Sequence, residues 1–281
     1  MQLHCGKKIL DISNPVVMGI LNITPDSFSD GGKLFGSGNA HIDQCLRAAE
    51  QMVHDGAAIL DIGGESTRPG ATPVCSDEEI ARVLPVVDAI ARRIDVVISV
   101  DTSNPLLMTE AAKHGASLIN DVRALQREGA LAAAAATGLP VCLMHMQGEP
   151  GDMQQDPQYR DVVADVRNWL LARVSACTQA GIAADNILLD PGFGFGKALE
   201  HNLCLLKHLD ELTAEPFPVL VGLSRKSIAG KITGRPIAER LPASLALAQL
   251  ALDRGARLLR VHDVAATTDM LKIWLALRDS P

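Results

Sequence analysis

Short apolar runs alternate with helical patterns eight times along this chain, and that alternation leaves few folds open. The runs fall at residues 16–21, 57–62, 96–100, 117–119, 140–144, 187–189, 219–223 and 257–261. Their near-continuous apolar character is that of parallel strands covered on both faces. Between them, segments such as His41–Asp55 carry Ile42, Cys45, Leu46, Ala49, Met52 and Val53 at helical spacing. Five helices pass to the next strand through glycine, at 56, 115, 138, 181 and 255, as a left-handed helix end requires. Strand–helix alternation gives a parallel sheet, and eight units in 281 residues favour a closed (β/α)₈ barrel over an open, doubly wound sheet.

Other signals refine this expectation. Leu3 to Ile12 alternates around Gly6-Lys7-Lys8 and predicts a short N-terminal hairpin. Ser76-Asp77-Glu78-Glu79 reads as a capping box opening a helix that Pro85 should bend, and Asn104-Pro105 as cap and first residue of the next. The segment Pro157 to Ala180 is predicted to hold the longest helix, with further helices near 200–211, 238–254 and 265–277. No linker divides the chain, so residues 1–281 are expected to form a single barrel domain.

Composition narrows the function. Lysine and arginine number 26 against 33 acidic residues, a net charge of -7 without like-charge blocks, which argues against a nucleic-acid partner. An anion site must therefore be built locally. The six cysteines show no C-x-x-C pair or metal spacing and read as reduced residues of a cytoplasmic protein. The N-terminus lacks the apolar core of a signal peptide, and the apolar stretch after residue 129 is cut by Gly138 and Pro140 before it can span a bilayer.

The chemistry gathers at the strand ends: Asn22, Asp61, Asp101, Asn120, His145, Asp190, Lys226, and Arg260 with His262. Singly, each is as readily a turn former or a helix cap. On one barrel they converge on the C-terminal rim, where ligands bind. Asp101, Asn120 and Asp190 suit the polar edges of a flat heterocycle, because a carboxylate accepts two N–H groups and an amide both donates and accepts. Arg260, His262 and the backbone near Thr67 suit a phosphate or diphosphate, and Asn22 offers a hard oxygen to Mg²⁺. Lys226 reads either as a donor to a ring or as a rim cation. The loop after Asn22, rich in glycine and carrying Phe28, looks mobile. Gly192-Phe193-Gly194-Phe195-Gly196-Lys197 fails the spacing of both nucleotide-loop motifs and reads as a flexible loop with aromatics near a ligand. His145 reads as an oriented core or rim histidine.

Residues 20–32, ILNITPDSFSDGG, and 59–70, ILDIGGESTRPG, closely resemble the two signature segments of the dihydropteroate synthase family of the folate pathway. SVDTSNP (99–105), IND (119–121), LMHMQG (143–148), LLDPGFGFGK (188–197), GLSRKS (222–227) and RVHD (260–263) resemble its other motifs in the same order. The resemblance implies a (β/α)₈ barrel that joins a dihydropterin diphosphate to 4-aminobenzoate with the help of Mg²⁺, through a dissociative pterin methylene cation. It implies that Asp101, Asn120, Asp190 and Lys226 bind the pterin, with Met144, Phe195, Val122 and Gly222 as walls. Thr67, Arg260 and His262 would hold the diphosphate, and Asn22 the metal. Phe28, Arg68, Pro69 and Ser227 would form the aminobenzoate site as two loops close. Asp101, Lys226, Arg260 and His262 would carry the catalysis. Loss of Arg260 is then expected to weaken the diphosphate substrate and spare a bare pterin.

A methyltetrahydrofolate methyltransferase barrel would share the pterin-edge residues but leave Arg260, His262 and Asn22 unexplained. A non-catalytic pterin-binding homologue would be expected to have lost Asp26, Phe28 or Arg68, which are present. The resemblance also implies a homodimer through barrel helices, with which the apolar Leu245, Leu247, Leu250 and Leu252 are compatible.

Overall fold

The computed structural model describes residues 1–23, 38–65, 74–149, 151 and 153–280. An antiparallel hairpin, β1 (Gln2–Cys5) and β2 (Lys8–Asp11), precedes the strands of one parallel sheet. These are β3 (Val16–Asn22), β4 (Ile59–Gly63), β5 (Val97–Asp101), β6 (Leu118–Asp121), β7 (Val141–Met144), β8 (Ile187–Asp190), β9 (Leu220–Val221) and β10 (Leu258–Val261). The sheet order is β8-β7-β6-β5-β4-β3-β10-β9. A parallel bridge between Leu189 and Val219, with Leu189 N donating to Pro218 O at 3.0 Å, joins β8 to β9 and closes the (β/α)₈ barrel.

Alternation along each strand separates two cores. Val17, Leu21, Leu60, Ile62, Ile98 and Val100 point outward into the layer shared with the helices. Met18, Ile59, Val97, Leu118, Cys142, Leu188, Leu220 and Leu258 point inward and pack together at the N-terminal end of the barrel. Because side chains repeat every second residue, the next inward positions are Ile20, Asp61, Ser99, Asn120, Met144, Asp190, Gly222 and Arg260. The interior is thus apolar below and polar above. The hairpin shuts the lower end: Leu3, Cys5 and Ile12 join the inward apolar cluster, and Lys8 Nζ donates to Val96 O at 2.8 Å just ahead of β5.

The helices are α1 (Gly38–His54), α2 (Ser76–Arg93), α3 (Pro105–Lys113), α4 (Ala130–Thr137), α5 (Val162–Gln179), α6 (Leu199–Lys207), α7 (Asp210–Thr213), α8 (Ser227–Thr233), α9 (Leu241–Leu252) and α10 (Val264–Arg278). All five glycine hand-overs take positive φ, from 67° at Gly138 to 108° at Gly115. Asn104 caps α3 as expected, accepting from Leu106 N at 3.1 Å.

Several sequence expectations need correction. The segment 200–211 is two helices, α6 and α7, and α8 was not foreseen. The longest-helix segment starts at Val162, where Asp161 accepts from Val163 N and Ala164 N. Ser76 is the first residue of α2 rather than its cap, and the cap position, Cys75, makes no side-chain bond. Glu79 leaves the helix end altogether: its buried carboxylate accepts from Thr102 Oγ1 at 2.6 Å and Asn104 Nδ2 at 3.2 Å. Of the leucines suggested for a dimer face, Leu247 and Leu252 belong to the core.

Leu3→Ala should leave a void under the barrel floor and lower the unfolding free energy by about 2–5 kcal/mol. Denaturant unfolding would show this, with ligand affinity at the opposite end of the barrel unchanged.

Candidate active site

Arg260 comes up from β10 into the polar half of the interior. Its Nε donates to Asp61 Oδ2 and its Nη2 to Asp101 Oδ2, both at 2.6 Å. Asp61, fully buried, stands opposite Ser99 in the β4–β5 register and accepts from Ser99 Oγ at 2.6 Å and Asn120 Nδ2 at 3.2 Å. One guanidinium therefore lies between two carboxylates. Burial pushes the Asp101 carboxyl up to about 7, with Arg260 pulling it down and Asp61, Asp121 and Glu65 adding to the rise. Burial also opposes the charge of Arg260, but Asp61 and Asp101 outweigh it and hold the guanidinium above its usual range.

Asp190, at the end of β8, accepts from Gly192 N at 2.7 Å, and burial raises its carboxyl despite Lys226 nearby. Lys226 lies on the β9 rim. Burial lowers its ammonium to about 8 against the pull of Asp190; Nζ donates to Phe193 O and lies 4.7 Å from the Phe195 ring centroid. The preceding residue, Arg225, has φ 57°, unusual for a residue with a side chain. Its backbone N donates to Ser244 Oγ at 2.9 Å and its Nε to Asp263 Oδ2 at 2.9 Å, which ties the Lys226 rim to the His262 rim. His262 is oriented by Ser224 Oγ, at 3.2 Å from its N and 3.1 Å from its Nδ1.

The segment 192–197 is closely packed rather than loose. Phe193 is fully buried and Lys197 is 2% exposed. Lys197 Nζ donates to Gly192 O and Phe195 O at 3.0 Å each and lies 2.9 Å from His145 Nδ1. A Cβ at Gly192, whose φ is +67°, would fall 1.8 Å from His145 O, and one at Gly196 2.4 Å from Gln147 O. The glycines serve this close approach, not a phosphate. His145 points away from the barrel mouth and meets Trp169 edge-on, with ring centroids 5.0 Å apart. Its imidazole is depressed to about 3 by burial, then by Lys197.

The structure thus brings Asp101, Asn120, Asp190, Lys226, Arg260 and Met144 into one barrel mouth, with Gly222, where a Cβ would meet nothing nearer than Lys226 Nζ at 3.6 Å. Asn22, on the inward side of β3, pairs with Gly63 beside Asp101. Ser227 is exposed next to Lys226. Val122 is buried and lines an adjoining cleft of about 290 Å³ with Arg123, Met146 and Trp169. Phe28, Thr67, Arg68 and Pro69 lie outside the described residues. Asp61 does not end its strand: it stands two residues before Gly63, inside the barrel. The hub around Lys197 and the Arg225–Asp263 pair were not read from sequence; their only trace there is that these residues stand in RVHD, GLSRKS and GFGFGK.

A closed barrel whose C-terminal mouth is lined by acceptor-rich groups, with cations beside them, defines an enzyme of the (β/α)₈ type that takes a flat polar ligand. The family model described as pterin binding enzyme matches residues 18–262, and the chain belongs to that family. It is 51% identical to the dihydropteroate synthase of Haemophilus influenzae over 276 residues, 98% of each chain. The solved dihydropteroate synthase of Xanthomonas albilineans with 4-aminobenzoic acid is 47% identical, with a TM-score of 0.93 over 100% of this chain and 99% of that one. The structure of that enzyme in complex with 7,8-dihydropteroate is 44% identical, with a TM-score of 0.90 over 100% of both chains.

Two measurements check this geometry. Arg260→Ala leaves two buried carboxylates without their cation, so it should destabilise the fold by about 3–5 kcal/mol and weaken a bare pterin as well as the diphosphate, in contrast to the sequence expectation. His145 is depressed in the fold, so its contribution to stability is fully present above about pH 6.5 and is lost as pH falls toward about 3. The difference in unfolding free energy between pH 7 and pH 4 should be smaller in His145→Gln than in the parent chain.

Proposed function

We propose that the chain is a dihydropteroate synthase: it joins (7,8-dihydropterin-6-yl)methyl diphosphate to 4-aminobenzoate, releasing diphosphate and forming 7,8-dihydropteroate. The observation that carries the proposal is the gathering of Asp101, Asn120, Asp190, Lys226 and Arg260 in one barrel mouth. The chain also shares 51% of its residues with a relative of that name.

In this reading Asp101, Asn120, Asp190 and Lys226 bind the pterin edges, against walls from Met144, Phe195, Val122 and Gly222. Arg260 spends two of its N–H groups on carboxylates and keeps the others for the substrate, with His262 and Thr67 completing the diphosphate site. An arylamine is a weak nucleophile, so the carbon–oxygen bond to diphosphate breaks first and the electron pair leaves with the diphosphate. The buried Asp101 and Asp190 then face the developing pterin methylene cation. The amine nitrogen attacks that carbon, and the proton it sheds passes to the released diphosphate. No protein nucleophile is required. Phe28, Arg68 and Pro69, outside the described residues, and Ser227, the first residue of α8, are assigned to aminobenzoate, whose site is completed once diphosphate is bound and water excluded.

Among the described residues, Mg²⁺ would be held by Asn22. Among the described residues no group of three or more acidic, histidine or cysteine side chains converges on a metal position, while Asn22 offers one amide oxygen at the mouth. A Mg²⁺ that keeps its waters and takes its remaining ligands from diphosphate suits such a site. When bound it neutralises the leaving group; Asn22 orients it.

A homodimer is proposed on narrower ground than the sequence offered. Leu250 on α9 and Ile273 and Leu277 on the adjoining α10 are exposed. No helix among the described residues is long and apolar enough to cross a membrane. Cys5, Cys45, Cys142 and Cys177 are buried as free thiols, which supports a cytoplasmic setting.

Incubation with the dihydropterin diphosphate, 4-aminobenzoate and Mg²⁺ should yield 7,8-dihydropteroate by mass spectrometry; no product would overturn the assignment. Asp190→Asn replaces one acceptor by a donor and should weaken the pterin by about 1–3 kcal/mol without a comparable loss of stability. Calorimetric titration of 4-aminobenzoate should give binding only with diphosphate, pterin and Mg²⁺ present; equal affinity in their absence would contradict a site completed by diphosphate.

A further inference from the structure

Asp61 is given no substrate contact in the proposed function, yet donors from three other strands converge on it. Oδ1 accepts from Ser99 Oγ on β5, and Oδ2 accepts from Asn120 Nδ2 on β6 and Arg260 Nε on β10. Asn120 and Arg260 can each present more than one polar edge to a ligand. An amide can turn over and exchange its oxygen for its nitrogen, and a guanidinium can present either edge. A carboxylate only accepts, so the amide edge that meets Asp61 must be the NH₂.

We infer that Asp61 is the positioning residue of the site: by holding Asn120 Nδ2 and Arg260 Nε from below, it fixes which polar atoms the pocket offers to a heterocycle. Asn120 then presents Oδ1 and its second N–H upward, and Arg260 presents Nη2 to Asp101 instead of folding away. Ser99 supports this arrangement from the neighbouring strand, where it stands directly opposite Asp61. The inference rests on the proposed pterin function and specifies how that pocket is set.

Asp61 also governs the charge of Asp101 through their common cation. Arg260 faces Asp101 from β10, Asp61 from β4, Asp121 from β6, and Glu65 from the segment after β4. Arg260 lowers the Asp101 carboxyl while Asp61 raises it. Neutralising Asp61 removes one of the groups that raise Asp101 and leaves Arg260 to Asp101 alone. The Asp101 carboxyl then moves down from about 7, and the acidic limb of pterin binding moves to lower pH.

Asp61→Asn tests this, because it keeps the volume but puts a donor where donors converge. In the intact chain, the KM for the dihydropterin diphosphate should rise at least tenfold while the KM for 4-aminobenzoate stays within about twofold. The acidic limb of kcat/KM for the pterin substrate should fall by a measurable fraction of a pH unit. Ser99→Ala, which removes one bond from Asp61 and no charge, should give a smaller pterin-selective rise and no shift of the limb. Asp61→Asn with unchanged pterin KM and limb would overturn the inference, as would a parallel loss on both substrates with unshifted pH dependence. If Asp61→Asn does not fold, Ser99→Ala decides through the same selectivity. Turnover by the parent chain separates the two levels: its absence would overturn the function, whereas normal parental turnover with unselective variants would overturn only the role of Asp61.

Discussion

One guanidinium between two buried carboxylates is the interaction on which the rest of this site depends. Among the described residues Arg260 alone compensates Asp61 and Asp101 directly, with both contacts at 2.6 Å. Burying two carboxylates in a barrel costs several kcal/mol each unless a cation and further donors meet them. Here Ser99 and Asn120 supply those donors. The arrangement leaves the interior acceptor-rich and close to neutral. It suits a donor-bearing heterocycle that acquires positive charge during reaction.

The barrel makes this possible by separating its interior into two halves. Below, Met18, Ile59, Val97 and their neighbours fill the space with apolar side chains, and the hairpin residues Leu3, Cys5 and Ile12 close the end. Above, the same inward positions turn polar within one or two residues. Burial over this floor strips water from the charged groups, which is why the Asp101 carboxyl rises and the Lys226 ammonium falls toward the neutral range, in each case against the pull of the opposite charge beside it. Strand periodicity, packing and charge tuning are thus one chain of cause.

Much of this was legible in the sequence. Apolar runs, glycine hand-overs and polar strand ends point to the barrel and to Asp101, Asn120, Asp190 and Arg260, because each follows from local periodicity. What was not legible depends on contacts distant in the chain. Asp61 looks like another strand end until the register puts it beside Ser99. Glu79 has the spacing of a capping box, yet Thr102 and Asn104, more than twenty residues away, draw it inward. Lys197 follows three glycines and invites a phosphate-loop reading, but His145 and the carbonyls around it hold it in the wall. The four leucines of the 245–252 region show the same limit: an apolar helix does not say which leucines its own barrel consumes, and Leu247 and Leu252 are consumed.

If the barrel mouth, with its strand ends and the packed 192–197 segment, builds the proposed pterin pocket by itself, a pterin binds before any phosphate, metal or second substrate arrives. Calorimetric titration of a bare dihydropterin, without diphosphate, Mg²⁺ or 4-aminobenzoate, tests it most directly. Saturable binding of one pterin per chain is the expected result. Absence of binding until diphosphate is added would contradict it, and would move the origin of the pocket from the barrel wall to the loops.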